Sequence, residues 1–172
     1  MSNQENRPPL LGIAPGNGKA IISIGLYGDV ATGVAIQSDG RIVVVGTSAK
    51  SNTNSFSSIS ISRLLPDGQL DRSFAVDGKT LLSLNTTENA ASDLLLQPDG
   101  RLVMVGYGFP GSGGYDFNFI RLLSDGSLDA SFGGTGQVLV PNGDWFEGAA
   151  KVLMQPDKKL IAIGTLRMQG DD

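Results

Sequence analysis

The chain has 172 residues, 40% of them apolar and 17% charged, with a net charge of -4 and a pI near 4.7; that length allows one ordinary domain burying roughly 70% of its unfolded surface. The 13 Lys and Arg are scattered along the chain, adjacent only at Lys158-Lys159, which leaves no basic patch for nucleic-acid phosphates, and no apolar stretch approaches the roughly 20 residues that a membrane-crossing helix needs. Histidine and cysteine are both absent, which excludes disulfides, Ser-His-Asp and Cys-His nucleophile systems, zinc sites of the usual ligand types and histidine general bases.

Taken in chain order, the first segment is MSNQENRPPLLG. It lacks the basic stretch, apolar h-region and cleavage site of a secretory leader, so the expected location is cytoplasmic, or exported without a cleaved signal peptide. Residues 1–15 read as the degenerate end of a repeat. Beyond them three units follow, at 16–75, 76–133 and 134–172. The segments QSDGRIVVVG (37–46), QPDGRLVMVG (97–106) and QPDKKLIAIG (155–164) lie 60 residues apart from Gly46 to Gly106 and 58 apart from Gly106 to Gly164. RLLPDGQLDRSF (63–74) matches RLLSDGSLDASF (121–132), and GNGKAIISI (16–24) matches VDGKTLLSL (76–84) and GTGQVLV (134–140). Three segments holding one register mark a tandem repeat.

Each unit is predicted to contain four strands. The first covers Ala20 to Ile24, Thr80 to Leu84 and Val138 to Val140. The second is VAIQSDG, LLLQPDG or VLMQPDK, ending in a hairpin whose Asp-Gly pair tolerates positive φ. The third, Ile42 to Val45, Leu102 to Val105 or Leu160 to Ile163, is a short aliphatic run closed by Gly46, Gly106 or Gly164, as suits a strand buried on both faces. The fourth shows period two, with Ile59, Ile61 and Arg63 alternating with serines and Phe117, Phe119 and Arg121 alternating with Asp116, Asn118 and Ile120, which predicts a half-buried outer strand. Together these define an all-β, β-propeller-type tandem repeat of four-stranded antiparallel blades, three repeats with the last incomplete. Eleven strands are countable, because only TLRMQGDD follows Gly164. A propeller typically closes with 4 to 8 blades, so the expectation is self-association of two chains into a six-bladed ring, with Pro8 to Ala14 filling the open place. The alternatives are a piece of a longer propeller protein, or an open array capped by loops.

The QPDGRLVMVG and RLLSDGSLDASFGGTGQ segments resemble the bacterial delta-sixty repeat, whose units run from a QPDGK strand to an R-L-x-x-DGSLD-x-SFGG-x-G segment. The likeness extends from about Leu10 to Leu166 and implies a β-propeller of uncharacterised function; it carries no catalytic residues with it. Two departures fall at the ends of the array: Leu11 and Ala14 replace the acid and the aromatic of LD-x-SF, and Lys158 stands in place of glycine.

Three kinds of polar residue and the glycine-rich stretches call for weighing. Asp39, Asp67, Asp99, Asp125 and Asp157 sit in hairpins and read as turn formers; their spacing lacks the dense oxygen ligands of a calcium loop, so no metal and no cofactor is expected. Asp71 and Asp129 each follow an Arg of the fourth strand by eight residues, Arg63 and Arg121, which predicts structural ion pairs. One further column holds Asp29, Asn89 and Glu147, with Tyr27, Thr87 and Trp145 two positions earlier. Such loops share one rim of a propeller, where aromatic faces beside polar groups would suit a carbohydrate or other small ligand; the plainer reading is a turn with an aromatic over the core edge. The glycine-rich stretches FPGSGGYD (109–116) and Gly16-Asn17-Gly18 lack the Lys-Ser/Thr and following helix of a phosphate loop. These residues support a non-catalytic binding or assembly module with no catalytic residue. The alternative is a carboxylate-dependent hydrolase of the glycosidase or lactonase type, with Asp29, Glu147 or Asp93 on the ring axis.

Overall fold

The computed structural model describes residues 20–25, 27–49, 56–82, 84–141 and 146–167. Among them are ten strands and no helix: β1 (Asp29–Ile36), β2 (Ile42–Ala49), β3 (Phe56–Leu64), β4 (Lys79–Leu81), β5 (Glu88–Leu96), β6 (Leu102–Phe109), β7 (Asp116–Leu122), β8 (Gln137–Val140), β9 (Phe146–Met154) and β10 (Leu160–Arg167). They form sheets β1-β2-β3-β4, β5-β6-β7-β8 and β9-β10, every pairing antiparallel. The protein is a β-propeller-type repeat of three blades, the third represented by two strands among the described residues. Pro8 to Ala14 and Trp145 lie outside the described residues.

The strand expected over Ala20 to Ile24 is not formed, so ten strands are described rather than eleven. Its counterparts in later units are β4 and β8, which pair with β3 and β7 at the outer edges of the preceding sheets, so that β3 and β7, expected as outer strands, lie inside. The cause is the LD-x-SF connection. The Asp71 amide donates to Arg63 O, the Phe74 amide to Asp71 O and the Gly78 amide to Phe74 O, at 2.9, 3.0 and 2.8 Å. This compact turn returns the chain alongside β3, and the same bonds recur at Asp129, Phe132 and Gly136.

Gly46, Gly106 and Gly164 do not close their strands: β2, β6 and β10 run on past them by three residues. Each lies where the register of the neighbouring strand slips, leaving Thr32, Ser92 and Ala150 as the extra residues of three bulges. A Cβ at these glycines would lie 2.0, 1.9 and 2.0 Å from the carbonyl oxygens of Val30, Ala90 and Gly148. The glycine is needed because the bulge drives a carbonyl into the space a side chain would fill.

Blades pack face to face. Val43, Val45, Ile59 and Ile61 of the first sheet bury against Leu94, Leu102, Met104, Ile120 and Leu122 of the second. The second sheet's opposite face, with Val103 and Val105, packs on Ala149 and Val152 of the third. Sandwiched in this way, Leu102 to Val105 is fully buried on both sides, whereas β2 buries Val43 and Val45 and leaves Ile42 and Val44 only half-covered.

Candidate functional site

Each turn aspartate accepts the backbone amide two residues on. The distances are 3.0 Å for Asp39 to Arg41, 3.0 Å for Asp67 to Gln69, 3.1 Å for Asp99 to Arg101, 2.9 Å for Asp125 to Ser127 and 3.2 Å for Asp157 to Lys159. Gly40, Gly68, Gly100 and Gly126 follow with φ of 82°, 86°, 83° and 92°, and Lys158 takes the same left-handed conformation at 69°.

Arg63 Nε and Arg121 Nε each lie 2.8 Å from an Oδ2, that of Asp71 and Asp129 respectively. A second arginine joins each pair, one the sequence reading missed: Arg101 Nε donates to Asp129 Oδ2 at 2.9 Å, and Arg41 Nε lies as close to Asp71 Oδ2 without aiming its N–H at it. The other carboxylate oxygen accepts the amide and hydroxyl of Ser73, at 3.1 and 2.6 Å, or of Ser131 at the same distances. The guanidinium carbons sit 4.5 Å from the Phe74 ring centre and 4.6 Å from that of Phe132. The signal was present in the text of the repeat, since Arg41 and Arg101 share the motif Asp-Gly-Arg.

The first cluster also joins two blades. Arg63 Nη1 donates to Ser124 O at 2.7 Å, the Ala75 amide to Asp125 O at 2.8 Å, and a Cβ on Gly126 would touch the Phe74 ring at 2.8 Å. In the second cluster the Ser131 hydroxyl foremost, then the Ser131 amide and Arg121, outweigh burial and hold the Asp129 carboxyl at about 2. A carboxyl depressed on folding stabilises the protein fully above its unfolded value near 3.8 and loses that contribution as pH falls through about 2. Thermal unfolding followed by circular dichroism should therefore show the wild-type Tm dropping across that window, and Asp129→Asn, less stable at neutral pH, should show a shallower drop there.

At the rim, Tyr27 is half-exposed. Asp29 accepts the amides of Ile24 (2.9 Å) and Gly25 (3.0 Å) and the Ser48 hydroxyl. Burial pushes its carboxyl up, but the Ser48 hydroxyl and the two amides outweigh it and hold the group below its ordinary value. Asn89 is buried; its Nδ2 donates to Thr86 O at 3.3 Å and its Oδ1 accepts Asn118 Nδ2 at 3.0 Å, while Asn118 Oδ1 accepts Gln137 Nε2 at 3.1 Å. Glu147 is also buried, with Oε1 unpartnered, beside an open cavity of about 240 Å³ lined by Phe117, Val140, Pro141 and Leu166. Asp29, Asn89 and Glu147 thus stand at the heads of β1, β5 and β9, and the first two fasten loops of their own blades. Asp93 accepts the Val152 amide at 3.1 Å and Lys151 Nζ at 3.2 Å, tying the second blade to the third.

Sequence reasoning missed an aromatic group at the far end of β6. Tyr115 packs edge-on to Tyr107 with centroids 5.2 Å apart and donates its hydroxyl to Glu88 at 2.7 Å, a bond that pushes its pKa up to about 12. The only signal was the aromatic in FPGSGGYD, read as a connection. Asp116, buried at the start of β7, is pushed up by that burial. Among the described residues no group of three or more His, Cys, Asp or Glu is placed to hold a metal ion, and no helix is long and apolar enough to cross a membrane.

The fold defines a β-propeller repeat protein. The family described as domain of unknown function (DUF5122) beta-propeller matches residues 37–74 and 97–132. Both matched stretches begin at the Asp-Gly-Arg hairpin and end at the aromatic of LD-x-SF, so they span the whole of each Arg-Asp cluster. No curated protein matches the chain.

Proposed function

We propose that the chain is a non-catalytic β-propeller repeat module that works by binding or assembly, its units being of the delta-sixty type. One observation carries this reading: the polar residues that recur from unit to unit are engaged by the scaffold. The turn aspartates hold their own hairpins, and the Arg-Asp clusters hold β3 and β7 to the turns that follow. For the hydrolase alternative, two of its three carboxylates, Asp29 and Asp93, are already occupied by backbone amides, whereas a glycosidase needs two free carboxyl groups roughly 5 to 9 Å apart. The test is incubation of the purified chain with aryl glycosides and lactones. No product release above buffer is expected; release that disappears in Glu147→Gln would overturn the proposal.

A further inference from the structure

The repeat register pairs each face of a blade with its equivalents in the other two, and the burial of these equivalents is uneven in one direction. Val43, Val103 and Ile161 occupy one column and are 0%, 0% and 40% exposed. In the column of Val45, Val105 and Ile163 the values are 1%, 0% and 58%. These positions face forward, from blade 1 onto blade 2 and from blade 2 onto blade 3. The receiving column runs the other way: Val34, Leu94 and Val152 are 64%, 8% and 4% exposed. Blade 3 therefore presents, at Ile161 and Ile163, an open copy of the face that blades 1 and 2 dock forward, and blade 1, at Val34 and Ile36 of β1, an open copy of the strand face that blades 2 and 3 offer to receive it.

From this complementarity we infer that the partner of the assembly module proposed above is a second copy of the chain, docked head to tail. The forward face of blade 3, with Ile161 and Ile163, seats on the receiving face of blade 1, with Val34, and the reciprocal contact closes a two-chain, six-blade ring. The contact is a repetition of an interface the protein already makes twice. Its receiving side is built largely on the first strand of a blade, β5 or β9, and the equivalent strand β1 is complete. Its forward side draws on β1, β2 and β3, or on β5, β6 and β7, and β9 and β10 supply the equivalents of the first two. Exposed apolar columns of this kind are unusual on a solitary soluble domain, and six blades fall within the usual closing range of about 4 to 8.

A head-to-tail contact is heterologous, with different residues on its two sides, and this gives it a signature. Light scattering after size exclusion, over a dilution series, should give a mass about twice 17.9 kDa for the wild-type chain. Ile163→Glu and Val34→Glu, substitutions at positions already exposed within one chain, should each halve that mass with an unchanged circular dichroism spectrum. Mixing the two variants should recover a two-chain species, because the intact blade 3 of one meets the intact blade 1 of the other. A wild-type monomer, a ladder of larger species, a dimer that survives either substitution, or variants that fail to recover on mixing would each overturn the inference. A monomer that releases no product from glycosides or lactones would overturn ring closure and leave the non-catalytic reading standing; a hydrolytically active dimer would do the reverse.

Discussion

Gly106→Ala should cost about 3 kcal/mol or more, among the largest losses available to a single methyl group. The new Cβ would lie 1.9 Å from Ala90 O and 2.9 Å from the carbon of the same carbonyl. Backbone atoms cannot swing aside as a side-chain tip can, so relief requires β5 and β6 to part at the bulge. Those strands stand in the central blade, whose residues 102–105 are buried against both neighbours, and the strain has nowhere to dissipate. Urea unfolding followed by circular dichroism would report the loss. Gly28→Ala is the matched comparison, because nothing lies within 4 Å of its Cβ position; its effect should stay within about 0.5 kcal/mol. Equal effects at the two positions would refute the carbonyl account.

Asp71→Ala should cost about 3 kcal/mol by the same measurement, since removing one partner of a buried ion pair strands the other charge. Arg63, itself buried, would lose its Asp71 contact of 2.8 Å and keep hydrogen bonds to the Ser124 carbonyl and the Ser73 hydroxyl and its place over the Phe74 ring. The Ser73 amide and hydroxyl would lose their acceptor, and Arg41 one of its two carboxylate partners, with Asp39 remaining. An exposed pair of the same chemistry lies next to it in sequence: Arg72 Nη1 to Asp77 Oδ1, 2.7 Å apart with both side chains largely in water. Arg72→Ala should change stability by less than about 0.5 kcal/mol. The contrast sets a buried, multiply hydrogen-bonded pair against an exposed one of similar distance and like charge.

What the sequence made legible follows from how local each interaction is. The hairpin aspartates could be read directly, because an Asx turn is complete within three residues. The Arg63–Asp71 and Arg121–Asp129 pairs could be read because they keep the same short spacing, whereas Arg41 and Arg101, which join them from a distant hairpin, were missed. The bulge glycines were visible as repeats, but their cause was not: it is a carbonyl on another strand, Val30, Ala90 or Gly148, and no alternation within β2, β6 or β10 points to it. The outer strands were misplaced for the same reason. The segments at 79–81 and 137–140 carry ordinary strand patterns, and only the return turn through Phe74 or Phe132 decides which sheet they join. In the rim column, Asp29 and Asn89 were singled out by position, and the Ile24 and Gly25 amides and Thr86 carbonyl that they fasten are close in sequence, while Ser48 and Asn118, which complete their hydrogen bonds, are far away.

The offset between the repeated text and the hydrogen-bonded sheet makes neighbouring units interdependent. Lys79–Leu81 belongs by sequence to the second unit yet completes the sheet of the first, as Gln137–Val140 does for the second sheet. Loosening the second unit therefore removes a strand from its neighbour as well as exposing a packed face. Arrays whose units merely touch can fray one at a time from an end; here the units are stitched through shared sheets, which favours melting as a single block.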